Sequence, residues 1–124
     1  VQEQLTTVRH IQGTEQAFAA VLEDGSVVTW GNPRCGGDSS AAQDRLRNVQ
    51  KLQSTANAFA AILEDGSIVT WGDPHFGGDS SAAQDRLRNV QKLQSTADAF
   101  AAILEDGSIV TWGDPHFGGD SSAA

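Results

Sequence analysis

Apolar residues along this chain come in short bursts of strand length. Ala58 to Leu63 is an unbroken apolar run, and Ile68-Val69-Thr70-Trp71 is β-branched and aromatic, a composition that suits a pleated, half-buried surface. Between them lies Glu64-Asp65-Gly66-Ser67, where the glycine can take the positive φ of a tight turn, so the pattern predicts a hairpin. Asn48 to Thr55 is a more polar strand candidate, although the spacing of Leu46, Val49 and Leu52 is closer to helical than to alternating. Gly72-Asp73-Pro74-His75-Phe76-Gly77-Gly78 carries three glycines and a proline and predicts a loop. Beyond it, Asp79 to Leu87 has a polar helix start, with Ser81 and Gln84 at capping-box spacing, which predicts one or two helical turns.

The same order of elements recurs at an offset of 41 residues. Ala17-Phe18-Ala19-Ala20 aligns with the runs beginning at Ala58 and Ala99, and Trp30 aligns with Trp71 and Trp112. Three units result, Val1 to Ala41, Ala42 to Ala82 and Ala83 to Ala123, with Ala124 left over; the second and third differ only at Asn57 versus Asp98. A fixed period of this length marks a repeat architecture in which each unit buries its face against its neighbours. The predicted helix is divided between the chain ends, Asp120 to Ala124 supplying its start and Val1 to Leu5 its end. This phase leads us to expect a closed ring in which complementary termini meet.

The run from Ala58 to Gly72, followed by Gly77-Gly78, resembles the regulator of chromosome condensation repeat. That family combines an apolar strand, an Asp-Gly turn, a strand ending in Trp-Gly and a glycine-bearing loop. The resemblance implies the blades of a β-propeller and a protein-interaction role. Units of that family usually exceed fifty residues, so fewer strands per blade are expected here; Ala58 stands where histidine is common, and Thr55 where glycine is usual. The expected fold is therefore all-β with short helices, a propeller-like ring of three units per chain. Because propellers close with about 4 to 8 blades, homodimerisation to six blades is the simplest completion. A three-fold, trefoil-like monomer is the alternative. The Trp-Asp propeller repeat has a similar period, but this chain has Trp-Gly and lacks the companion Gly-His.

Candidate chemistry is sparse. Trp30, Trp71 and Trp112 end apolar strands and are expected to be blade-interface anchors whose indole N–H finds a carbonyl, and Phe18, Phe59 and Phe100 read as structural too. His75 and His116 stand two residues after Asp73 and Asp114, but the first unit has Asn32 and Arg34 there, which breaks any three-fold ligand set. No metal and no cofactor is expected. The adjacent acids of each hairpin turn are explained by turn chemistry and lack the alternate spacing of calcium ligands. Arg45, Arg47, Lys51 and their third-unit equivalents are expected to pair with neighbouring units or stay solvated. No catalytic set stands outside the repeat, so the chain is expected not to be an enzyme. The best contact candidates are the exposed, variable residues of the proline loops: Asn32, Arg34, Asp73, His75, Phe76, Asp114, His116 and Phe117.

Composition narrows the partners. Sixteen acids against eight Lys and Arg give a net charge of −8, which disfavours binding to a phosphate backbone, so a protein partner or a second copy is expected rather than nucleic acid. No apolar run reaches the roughly 20 residues of a membrane helix, and Val1 opens no signal-like segment. The expectation is a soluble protein with no membrane partner. A single cysteine, Cys35, permits no internal disulfide and is compatible with a cytoplasmic rather than secreted setting. The absence of methionine implies a processed or trimmed start. These features lead to a non-enzymatic interaction scaffold. Two alternatives stand beside it: regulation of small-GTPase nucleotide exchange, carried over from the resemblance, and a structural or engineered module without an evolved ligand.

Overall fold

The computed structural model describes residues 8–117, apart from the Phe117 side chain. It contains nine strands in three antiparallel sheets, one per unit. β1 (Val8–Gly13), β2 (Ala17–Leu22) and β3 (Val27–Gly31) form the first meander; β4 (Val49–Ser54), β5 (Ala58–Leu63) and β6 (Ile68–Gly72) the second; β7 (Val90–Ser95), β8 (Ala99–Leu104) and β9 (Ile109–Gly113) the third. Each sheet pairs strands of one unit only, the organisation of propeller blades. A trefoil would pair strands between units, so that alternative is set aside. Blades of three strands agree with the shortened repeat.

The predicted hairpin forms. Ala58 pairs with Gly72 and Ile62 with Ile68, and Gly66 turns the chain at φ 84°. Asp65 stiffens the turn by accepting from the Ser67 hydroxyl at 2.6 Å and the Ser67 amide at 2.9 Å. Asp24 and Asp106 do the same with Ser26 and Ser108. These bonds, the hydroxyl one foremost, hold all three carboxyls below the usual aspartate range. Each depressed value adds stability that is present above the unfolded-state value of about 3.9 and is lost as pH falls through the lower folded value. Replacing all three aspartates by asparagine keeps an acceptor but removes the charge. Urea unfolding followed between about pH 5 and pH 2 should then show a shallower acid loss than the parent; an unchanged slope would refute this account.

The helical turns predicted between units form, as single 3-10 turns at Gln43–Arg45 and Gln84–Arg86, but neither is capped by a side chain. Gln84 Nε2 donates to the Ser80 hydroxyl at 2.6 Å and to the Ile68 carbonyl at 3.3 Å, rather than capping through Ser81. Ser80 in turn bonds the Thr70 hydroxyl, and Thr70 donates to the Gly78 carbonyl. The connecting chain is thus held against the outer strand, where it covers the sheet edge in place of a fourth strand. The expected meeting of the termini falls on residues 1–7 and 118–124, outside the described residues.

Side-chain alternation gives each blade two apolar faces. Ala58, Ala60 and Ile62 point one way along β5, whereas Phe59, Ala61 and Leu63 point the other. The trailing face of the first unit, Ala17, Ala19, Val21 and Val27, packs on the leading face of the second, Leu52, Phe59, Ala61, Val69 and Trp71. The next interface repeats it, with Ala58, Ala60, Ile62 and Ile68 against Leu93, Phe100, Ala102, Val110 and Trp112. Small residues on one side and large aromatics on the other let the sheets approach closely without voids. The core therefore lies between units.

Candidate protein-interaction site

The proline loops emerge at the end of each blade opposite the Asp-Gly turn. Pro33–Cys35, Pro74–Phe76 and Pro115–Phe117 each form a 3-10 turn, a regular element inside what the sequence predicts as loop. Proline suits the first turn because its missing N–H would have no helical acceptor there. The preceding residue caps the turn: Asn32 accepts from the Arg34 amide, Asp73 from the His75 amide and Asp114 from the His116 amide, each at 2.9 Å. The following glycine exits at φ 99° after Cys35 and 98° after Phe76, in the left-handed region.

The first two loops are anchored on the next blade. Trp71 donates its indole N–H to the Gly36 carbonyl at 3.1 Å, and Trp112 donates to the Gly77 carbonyl at the same distance. The expected role of these two tryptophans as interface anchors is thus met. Trp30 is only partly buried, and its indole N–H has no acceptor among the described residues. Phe59 and Phe100 stack on Trp71 and Trp112 with centroids 5.3 Å apart and are buried, whereas Phe18, stacked on Trp30, is 48% exposed.

The loop candidates divide into two groups. Arg34, His75 and His116 are exposed, with the His75 side chain 88% accessible. Asn32, Asp73 and Asp114 are partly buried caps. Phe76 packs partly against the second core, while its counterpart Cys35 is buried and donates to the Asn57 carboxamide at 3.2 Å. The Phe117 side chain lies outside the described residues. His75 Nδ1 approaches Asp73 Oδ1 at 3.3 Å, but that oxygen already accepts the His75 amide. Among the described residues no group of three metal-ligating side chains assembles, and no helix is long and apolar enough to cross a membrane. None of the basic side chains Arg45, Arg47, Lys51, Arg86, Arg88 and Lys92 makes an ion pair among the described residues.

Sequence reasoning missed the axial seam. Ser54 donates to the Gly13 carbonyl and Ser95 to the Ser54 carbonyl, at 2.8 and 2.7 Å, tying the first strands of successive units together. The signal was the polar run Gln53-Ser54, recurring one period later as Gln94-Ser95.

No family model and no curated relative matches the chain. Solved structures do. Prp20p from Saccharomyces cerevisiae, the yeast RCC1, is similar with a TM-score of 0.66 at 21% identity over 86% of this chain and 30% of that one. Its structure bound to Kap60 gives 0.64 at 22% over the same share of this chain and 29% of that one. The computationally designed Ika4 protein gives 0.52 at 18% identity, covering 86% of this chain and 65% of the designed one. The chain thus spans about 30% of the length of the yeast protein. With three antiparallel blades in sequence, the fold is that of the RCC1-like propeller repeat.

Proposed function

We propose that the chain is a non-enzymatic interaction scaffold whose proline loops contact a protein partner. One observation carries this reading. The loops of the first two units share one backbone, with cap angles of −65°/122° and −68°/121°, yet one displays Arg34 and the other His75. A constant frame that varies its exposed side chain is how a rigid scaffold generates recognition. The net charge of −8 favours a basic partner surface.

Prp20p is described in terms of its binding to Gsp1p and histones, which makes these the first probes. Binding of Gsp1p and of core histones to the immobilised chain should fall about tenfold or more for at least one of them when Arg34, His75 and His116 are changed together to alanine, the loss of a small contact cluster. A charge-neutral control, Gln50→Ala with Gln91→Ala at the opposite blade ends, should leave that binding unchanged. Binding that ignores the loops, or no binding of either probe, would count against the proposal.

A further inference from the structure

Three large apolar side chains are markedly exposed among the described residues: Ile11 at 50%, Phe18 at 48% and Ile109 at 56%. Each has buried counterparts one or two periods away. Leu52 and Leu93 correspond to Ile11 and are 2% and 4% exposed; Phe59 and Phe100 correspond to Phe18 and are 0% and 1% exposed; Val27 and Ile68 correspond to Ile109 and are 3% and 2% exposed. Ile11 and Phe18 lie on the leading face of the first unit, and Ile109 lies on the trailing face of the third.

Polar groups divide the same way. The Gly25 and Gly66 carbonyls accept the Val49 and Val90 amides of the following unit, whereas the Gly107 carbonyl has no partner among the described residues. A Cβ on Gly25 or Gly66 would meet the next unit's asparagine backbone at 2.9 or 3.0 Å, and one on Gly107 would meet nothing within 4 Å. The Trp30 indole N–H, at the other end, lacks the loop carbonyl that Trp71 and Trp112 use.

We propose that the leading face of the first unit, centred on Ile11, Phe18 and Trp30, docks the trailing face of the third unit of a second copy of the chain, head to tail. The occupant follows from the interface already built twice inside the molecule. The third unit presents Ala101, Ile103 and Ile109, the same small-then-branched surface that receives Phe59 with Trp71 and Phe100 with Trp112 at the inner interfaces. Every copy carries both complementary faces, so the contact is heterologous and can close on itself. Two copies joined this way present six blades, within the roughly 4 to 8 at which propellers close, whereas three fall below that range.

The test uses light scattering after gel filtration on the full chain and two variants, Phe18→Asp on the leading face and Ile109→Asp on the trailing face. The parent should run at twice its 13.0 kDa mass, and each variant alone should run as a monomer. Mixing the two variants should restore a dimer, because the intact trailing face of one meets the intact leading face of the other. Unchanged circular dichroism confirms folding; if Phe18→Asp fails that check, Ile11→Asp replaces it. A parent that stays monomeric up to millimolar concentration overturns the proposal. So does an assembly that survives either substitution, or a mixture that fails to recover the dimer.

Discussion

Phe59→Ala and Phe100→Ala should each lower the unfolding free energy by about 3–5 kcal/mol, the usual cost of emptying a buried phenylalanine site. Both rings are essentially inaccessible, fill the interface between blades, and stack on a tryptophan that is itself only 5% exposed. Whole domains are stable by only about 5–15 kcal/mol, so either substitution removes a large share of the total. The same substitution at Phe18, at the same repeat position, should cost less than about 1 kcal/mol, because the half-exposed ring leaves no sealed cavity. Urea denaturation of dilute, monomeric protein measures all three. Equal losses at the three positions would show that the leading face of the first unit is covered within the single chain.

Gly77→Ala is the second severe change. The added Cβ would sit 2.5 Å from Phe100 Cδ2 and 2.7 Å from Cε2, on backbone at φ 98°. Left-handed backbone costs a non-glycine residue roughly 1–2 kcal/mol, and overpacking a filled core adds about 1–3 kcal/mol. The ring cannot swing away freely, since Trp112 stacks on its face and the Trp112 indole holds the Gly77 carbonyl. Gly107→Ala provides the comparison: φ is 87°, but nothing lies within 4 Å of the new methyl. It should show the backbone cost alone. Thermal or urea unfolding should therefore rank Gly77→Ala well below Gly107→Ala in stability, and similar values for the two would mean the blade interface yields more readily than its geometry implies.

Much of this architecture was legible in the chain. The hairpin from Ala58 to Gly72 could be read because its causes are local: an apolar run, an Asp-Gly turn with a positive φ, and a β-branched strand. The tryptophan anchors were legible for a related reason, because a large ring at a strand end must bury its surface and satisfy one N–H. In the segment from Asp79 to Leu87 the helical turn was legible but its capping was not, because local capping signals were outweighed by partners distant in sequence. Ser80 and Gln84 bond Thr70 and the Ile68 carbonyl, and periodicity contains no trace of those contacts. At the proline loops, the identity of the exposed residues was readable, but the division between displayed His75 and inward-leaning Phe76 was not, since it depends on the third blade beneath them.

By itself, the sequence determined the period of 41, the order of elements within each unit and the turn chemistry, because these depend on spacing and on the conformational preferences of a few residues. Tertiary structure decided which face of each strand meets which neighbour, and therefore which copies of one repeated side chain are buried and which are left open. Phe18, Phe59 and Phe100 are indistinguishable in their motif yet differ in exposure from 48% to near zero. Burial belongs to the interface between units, and an interface needs a neighbour that no single unit encodes.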